Sequence, residues 1–391
     1  GGTIIGGAGS DTLTTKEAAL NLTSTTLSSI ETLRAAVTGT AFTVDTGDLA
    51  AVTSVTGSTG VDTLIVNDNA FDLTSVAVTS IEKLTAGLGT DTTFTVDAAD
   101  LASGGSVIGS TGTDTLTILG TAFNLASTGI QSVEVLQAGS ASATTFTLDQ
   151  ADLVTGGSVI GSSGSDTIVA KGSVLNLAST DLTSIEKLQG SLSATTFTVD
   201  QSDLSSVISI TGSTGTDTVA AADAALDLTS TALNSIEILK GAAGGTTFTV
   251  DGIGATGADL VAGGSVVGVN STTIDTLIIK GTTFDTTSTT LDKIEILQSG
   301  STDATTFKVD QADLATSGTV QGDAGTAALD TLIVKGTSAN LTSTTLTDVE
   351  ILQAGSTAAT TFTVDQADLA VGGSVLGNGS AVADTLIVKS A

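Results

Sequence analysis

Aspartate is the residue whose recurrence in this chain could support chemistry. Two aspartates three residues apart, as in Asp97 and Asp100, return along the chain, and paired carboxylates can serve as general acid and base. These pairs have no His, Cys or Tyr to work with, because the chain contains none. They also recur in equivalent copies, whereas an enzyme needs one well-built site. We therefore predict that the chain has no catalytic residues and is not an enzyme.

A second aspartate precedes Thr and returns about once in 52 residues. It stands at Asp11, Asp62, Asp114, Asp166, Asp217, Asp275, Asp330 and Asp384. The stretch Gly6 to Thr14, GGAGSDTLT, fits the nonapeptide G-G-x-G-x-D-x-U-x, in which Ca²⁺ lies between turns of a parallel β-roll. Degenerate copies follow around the next four aspartates and fade in the later ones. The first set of calcium candidates is therefore Asp11, Asp62, Asp114, Asp166 and Asp217.

A second interpretation gives these aspartates a purely structural role. The carboxylate of an Asp before a strand can close an Asx turn without any metal. If consecutive copies stood two turns apart on one column, their spacing would be about 9.6 Å, too far for one ion to bridge. The sequence leaves both readings open.

Three copies carry a further pair of aspartates in corresponding places of their two halves. These second calcium candidates are Asp72 with Asp100, Asp227 with Asp259, and Asp285 with Asp313. In other copies Asn replaces the first Asp, which favours a ladder that satisfies turn backbone. No cofactor is required by the pattern, and Ca²⁺ is the one candidate.

The elements that position these residues repeat with the same period. Each copy of about 52 residues divides into two similar halves, each with three short strands rich in Val, Ile, Thr and Phe. This predicts an all-β fold, a parallel β-solenoid (β-helix) with rungs of about 26 residues, paired into repeats of about 52. Alternation places Leu116, Ile118, Phe146 and Leu148 inside and Thr outside. The many Gly and Thr residues argue against a helical repeat.

The repeat runs through the whole chain, so we expect one elongated domain, residues 1–391. Its repeats span about 3–52, 53–105, 106–157, 158–207, 208–264, 265–318 and 319–373, with a partial copy at 374–391. One copy contains an insertion, Gly252 to Gly257, which we expect in a surface loop. The Ser-Ile-Glu-Lys-Leu stretches break the alternation, because Lys187 would point inward with Ile185, so a bulge or bend is expected there.

The composition of the chain limits the classes of partner that it can bind. The formal net charge is −30, with 41 acidic and 11 basic residues, which argues against nucleic-acid binding. No apolar run approaches the roughly 18 residues of a membrane span, so no membrane insertion is expected. Without Cys the chain needs no oxidative folding, which fits an extracellular setting. Glycan-cleaving solenoids need basic residues and aromatic platforms, and only 3% of the residues of this chain are aromatic. The composition therefore argues against such an enzyme.

These features together resemble the repeat regions of large bacterial secreted surface proteins related to the RTX class, including S-layer proteins and giant adhesins. The resemblance is carried by Gly6 to Leu13, Asn340 to Gly355 and Thr360 to Leu369. It implies a β-solenoid segment, type I-like secretion, calcium-supported folding outside the cell and a location at the bacterial cell surface.

We therefore expect a structural extracellular rod that builds a surface layer, filament or adhesin stalk. Neither end of the sequence shows a cap over its strand edges, so the expected partner is another copy, stacked head to tail. One alternative is a surface adhesion module that binds calcium or cell-surface glycans. A remote alternative is ice binding by Thr-x-Thr strands such as Thr93 to Thr95.

Overall fold

Short strands form wherever β-branched and aromatic residues alternate with Thr or Ser. In the computed structural model of the chain, residues 1–252, 263–269, 272–325 and 329–390 are described. They fall into two compact units, Gly1–Gln189 and Gly190–Ala391. Within each unit the strands pair in parallel, so the predicted all-β parallel β-solenoid is confirmed. The predicted insertion loop, beyond Gly252, lies outside the described residues, as does Asp259.

The first half of the chain contains the following strands. They are β1 Thr3–Ile5, β2 Thr12–Thr15, β3 Ala19–Asn21, β4 Thr26–Ser28, β5 Thr32–Ala35, β6 Ala41–Val44, β7 Ser54–Thr56, β8 Thr63–Val66, β9 Ala70–Asp72, β10 Ala77–Thr79, β11 Lys83–Ala86, β12 Thr93–Val96, β13 Ser106–Ile108, β14 Thr115–Ile118, β15 Ala122–Asn124, β16 Gly129–Gln131, β17 Val135–Ala138, β18 Thr145–Leu148, β19 Ser158–Ile160, β20 Thr167–Ala170, β21 Val174–Asn176, β22 Asp181–Thr183 and β23 Lys187–Gly190.

The second half continues the pattern. Its strands are β24 Thr196–Val199, β25 Ser209–Thr211, β26 Thr218–Ala221, β27 Ala225–Asp227, β28 Ala232–Asn234, β29 Ile238–Lys240, β30 Thr247–Val250, β31 Ser265–Val267, β32 Thr276–Ile279, β33 Thr283–Asp285, β34 Thr290–Asp292, β35 Ile296–Ser299, β36 Thr306–Val309, β37 Thr319–Gln321, β38 Thr331–Val334, β39 Ser338–Asn340, β40 Thr345–Thr347, β41 Ile351–Ala354, β42 Thr361–Val364, β43 Ser374–Leu376 and β44 Thr385–Val388. The helical segments are α1 Thr46–Ala51 and the 3₁₀ turns Gln150–Asp152, Asp203–Ser205 and Gln311–Asp313.

The core is a stack of inward side chains at equal positions on successive turns. Phe94, Leu116, Leu136 and Val159 stand opposite one another in register on β12, β14, β17 and β19, and each is at most 2% exposed. The four residues predicted to point inward are all fully buried, while the Thr residues between them face outward. Burying such side chains contributes about 1.5–3 kcal/mol each, and this is the main force that joins the turns.

The length of a turn differs from the prediction. Each strand pairs with the third segment after it, when the helical segment of the repeat is counted as one segment. Lys83 stands opposite Thr63, Ser106 opposite Lys83, and Gly129 opposite Ser106, which are steps of 20, 23 and 23 residues. The expected rung of about 26 residues is therefore wrong by a few residues. Insertions lengthen some later steps, such as the 29 residues from Thr247 to Thr276.

A repeat and a turn are out of phase. From β8 to β13 one repeat contains six strands and one further segment, residues 97–105, which makes seven segments. At three segments per turn, a repeat covers two turns and one third. The two halves of a repeat resemble each other because both alternate, but a half is longer than a turn.

The helical segment interrupts a sheet, and the interruption moves to a new face in each repeat. In the first unit, β3-β6-β8-β11-β13-β16 form one six-stranded sheet and β9-β12-β14-β17-β19-β22 form another. Beyond β16 the turn Gln150–Asp152 takes the place of a strand, and β21 packs on its other side. Similarly, α1 lies between β4 and β9.

At the corners between strands, the backbone of one turn lies in close contact with the backbone of the next. Ser132, just before the Val-Glu of its repeat, has a φ of 50°, and its equivalents Ser80 and Ser184 have a φ of 53°. The predicted bulge follows this serine: the N–H groups of Glu186 and Lys187 both donate to the Asp166 carbonyl, at 3.1 and 3.0 Å, so Ile185 stays buried while Lys187 points to solvent. A Cβ built on Gly109 would lie 1.7 Å from the Ser132 carbonyl oxygen on the neighbouring turn. This glycine of the nonapeptide is therefore required by close packing.

Replacing Gly109 with Ala should destabilise the solenoid by roughly 1–3 kcal/mol or more, because the added methyl group meets a carbonyl that has little room to move. The measurement is the free energy of unfolding in denaturant. Gly129→Ala is the matched control: its Cβ would meet nothing closer than 3.7 Å, and Ala77 on β10 occupies the equivalent place in the preceding repeat. Equal losses in the two variants would contradict this account of the corner.

Candidate functional site

The aspartate of the Asp-Thr pair lies buried at a corner, with its carboxylate already bonded. Asp114 is 0% exposed. Its Oδ1 accepts the backbone N–H of Thr92 on the preceding turn at 2.8 Å. Its Oδ2 accepts the backbone N–H of Ser110 at 2.6 Å and the Ser110 hydroxyl at 3.1 Å. The carboxylate thus closes its own loop and ties that loop to the turn before it.

A glutamate carries the same bonding to the next turn. The Asp114 N–H donates to Glu134 Oε2 at 2.8 Å, and the Asp114 carbonyl accepts the N–H groups of Glu134 and Val135, each at 3.0 Å. The Glu134 carbonyl in turn accepts the Ser158 N–H at 2.8 Å. We call this arrangement of Thr, Asp and Glu the corner column. It satisfies backbone groups that would otherwise be buried without partners, which is costly.

The corner column recurs with the same atoms. Further copies are Thr40–Asp62–Glu82, Thr144–Asp166–Glu186, Thr195–Asp217–Glu237, Thr246–Asp275–Glu295 and Thr305–Asp330–Glu350, with partial copies at Asp11–Glu31 and Thr360–Asp384. No role was predicted for this glutamate from the sequence. Its constant spacing of 20 residues after the aspartate was the available signal.

The first calcium candidates do not form one column with one another. Asp11, Asp62 and Asp114 lead into β2, β8 and β14, which belong to three separate sheets. The expected stacking two turns apart is therefore wrong, because a repeat covers two turns and one third. Asp166 and Asp217 have the same surroundings as Asp114, and the less buried Asp11 accepts the Gly7 N–H at 2.8 Å.

The second calcium candidates are placed differently from one pair to the next. Asp72 stands opposite Thr95 and accepts the Thr74 N–H at 2.9 Å, so its carboxylate closes a local turn. Asp227 does the same with Thr229 at 3.0 Å. Asp285 forms an ion pair with Lys308 at 3.6 Å, and the neighbouring Thr286 hydroxyl donates to Asp313 at 2.7 Å. Lys308 thus supplies a positive charge beside this pair. Among the described residues, no three or more Asp and Glu side chains are grouped to hold a metal ion.

The aspartates three residues apart form capping boxes. The Asp149 N–H donates to Asp152 Oδ2 at 2.9 Å, and Asp149 Oδ1 accepts the Ala151 N–H at 2.8 Å. Burial raises the pKa of Asp152 to about 7; the hydrogen bond from the Asp149 N–H opposes this rise, and the Asp149 charge adds to it. Burial likewise raises the pKa of Asp48, Asp100 and Asp313 to about 6, and it also raises that of Asp368. The Asp45–Asp48 box was missed in the sequence, although it has the same spacing.

The glutamine inside the box acts as a substitute strand. Gln150 Oε1 accepts the Asn176 N–H at 2.6 Å, and Gln150 Nε2 donates to the Asn176 carbonyl at 3.3 Å. A side-chain amide thereby pairs with β21, the strand that packs on the far side of the helical turn, as a backbone peptide would. Gln201 with Asp227 and Gln311 with Asn340 repeat this contact. This role of the glutamine was not predicted from the sequence.

The corner column should be sensitive to one atom. Asp114→Asn replaces one carboxylate oxygen with an N–H₂ group that faces another N–H, so we expect a loss of roughly 1–3 kcal/mol. Denaturant unfolding measures it. Asp181→Asn, at an exposed strand position, is the control and should change stability little. A stable Asp114→Asn variant would show that the corner column does not hold the turns together.

We call the contact between the Gln150 side-chain amide and the Asn176 backbone the amide clamp. Its contribution to stability can be tested by removing one clamp and by adding another. Gln150→Ala should lose roughly 0.5–1.5 kcal/mol, because the Asn176 backbone groups then rely on water. Ala98 holds the corresponding place 26 residues before Asn124, as Gln150 does before Asn176, and has no side-chain amide. Ala98→Gln should therefore raise the unfolding free energy by a similar amount. The amide clamp would be refuted if both substitutions raised the free energy of unfolding, or if neither of them raised it.

Comparison with known proteins adds no relative: no protein-family model matches the chain, nor does any curated protein or solved structure. Within the described residues, no helix combines the length and apolar character needed to cross a membrane.

Proposed function

We propose that this chain is a structural, non-enzymatic segment of an extracellular protein, in which stacked turns serve as a rod. The observation that carries the proposal is the corner column. The same Thr, Asp and Glu recur in copy after copy, and their polar atoms bond to neighbouring turns. A β-solenoid of this kind is compatible with a structural rod role.

The absence of enzymatic activity is part of the proposal and is supported by the placement of the carboxylates. The carboxylates of the corner columns accept backbone N–H groups. In a capping box, the carboxylate of the second Asp accepts the backbone N–H of the first. A recess of about 360 Å³ is lined by Glu350 and Asp368, whose carboxylates already accept the N–H groups of Asp330 and Asp365. A smaller recess beside α1 has a volume of about 160 Å³ and is lined by Thr46, Leu49, Ala50, Asp72 and Ser75. These residues offer one carboxylate and no base or nucleophile pair.

We further propose that the segment works at a bacterial cell surface, in a surface layer, filament or adhesin stalk. The resemblance of its repeats to secreted surface proteins supports this, as do the lack of Cys and the net charge of −30. In this proposal the partner is a second copy. Unpaired N–H and C=O groups of a parallel sheet edge readily pair with another chain, and a head-to-tail contact of that kind propagates.

The test is assembly of the purified chain, followed by sedimentation over a range of concentrations and by electron microscopy. We expect association that grows with concentration and yields filaments or sheets. Gly109→Ala should assemble less than Gly129→Ala, because only an intact solenoid presents ordered edges. A chain that stays monomeric at all concentrations, in calcium and in chelator, would refute self-assembly.

The same samples separate the structural proposal from the calcium-binding alternative. Thermal unfolding in calcium and in chelator should coincide if protein atoms alone satisfy the corner carboxylates. A melting temperature that rises with calcium, and does so less in Asp114→Asn, would favour a calcium-binding module instead.

A further inference from the structure

Asp152 belongs to the buried carboxylates that have no part in the corner column. Asp152 is 4% exposed and sits in the turn that replaces a strand between β16 and β21. Its Oδ2 accepts the Asp149 N–H at 2.9 Å, so this bond needs an oxygen acceptor, which a neutral carboxyl group also provides. The negative charge of Asp152 is therefore not needed for the bond that holds the turn.

The surroundings of Asp152 offer no compensating cation. The strands that pack against its turn, Gly129–Gln131 and Val174–Asn176, carry no ionisable side chain. Asp149 lies on its own turn, and Glu134 lines the closed crevice beside it together with Leu136 and Thr180. Both of these groups are acidic.

A basic residue on the next turn stands in register with Asp149. Lys171 follows β20, and its N–H donates to the Leu148 carbonyl, which places Lys171 beside Asp149. It forms no ion pair with either aspartate within the part of the chain that the structure describes. Burial, and after it the charge of Asp149, thus disfavours the ionised form of Asp152, against the opposing effect of the Asp149 N–H bond.

We propose that the turn closed by Asp149 and Asp152 takes up a proton as the solution becomes mildly acidic, and that the solenoid is thereby more stable there than at neutral pH. This is a pH-responsive device built into the segment that interrupts the sheet between β16 and β21. It does not depend on the proposed function.

The direction follows from linkage. Burial raises the pKa of Asp152 to about 7 in the folded chain, against about 3.9 for an unfolded Asp. Between these values the folded state binds more protons than the unfolded state, so stability falls as the pH rises. The contribution is complete below about pH 4 and is lost as the pH passes through about 7.

The experiment is thermal unfolding of the full chain from about pH 8 to about pH 5 at high and constant ionic strength. Salt suppresses the repulsion among exposed carboxylates, whereas a buried group is screened much less. We expect the melting temperature of the unmodified chain to rise on acidification. Asp152→Asn, which keeps an oxygen acceptor and cannot ionise, should rise less over the same range. Asp181→Asn, exposed on β22, should follow the unmodified chain.

A melting temperature that stays level or falls on acidification would overturn the proposal, and so would an equal rise in Asp152→Asn. If Asp152→Asn does not fold, potentiometric titration of the unmodified chain decides the matter. The folded chain should bind more protons than the denatured chain between about pH 5 and about pH 7, and equal binding would refute the proposal. These outcomes are independent of whether copies assemble.

Discussion

The structure depends on satisfying backbone N–H groups where a loop enters a strand. A parallel ladder bonds the strands themselves, but the corners between strands are buried and would leave polar groups without partners. Asp114 accepts two such N–H groups, one from its own loop and one from the turn before, and Glu134 on the turn after accepts a third, the N–H of Asp114 itself. Since each carboxylate reaches a neighbouring turn, the corner column fixes the vertical register as well as the loop.

The close approach that this bonding requires explains the glycines of the nonapeptide, which otherwise resemble part of a calcium-binding motif. When Asp114 draws its loop onto the adjacent turn, the Ser132 carbonyl meets Gly109 at a distance that no side chain allows. Gly112 is similarly close to the backbone of Asp91 on the turn before. Both glycines and the aspartate of the nonapeptide are therefore accounted for by contacts within the protein. A Gly-rich loop with one Asp is the common requirement of a tight corner and of an ion site.

The sequence was sufficient to predict the strands, their inward faces and the parallel stacking, because alternation and period are properties of the chain itself. It was not sufficient for the length of a turn. Residues 97–105 have the composition of a loop, so the halves of a repeat looked like whole turns, although they include a segment that takes a full place on a face. The Gln150 clamp was invisible for the same reason: the partner of Gln150, Asn176, is known only once the phase of the turns is known.

That phase has a mechanical consequence within each unit. If a repeat covered a whole number of turns, the helical segments would lie on one face and leave it without a continuous sheet. Because seven segments are distributed over three faces, successive helical segments fall on different faces. Beside Gln150–Asp152, for example, β17 and β19 continue their own ladder without a break. Each interruption is therefore flanked by uninterrupted sheet, and the amide clamp has to bridge only one face at a time.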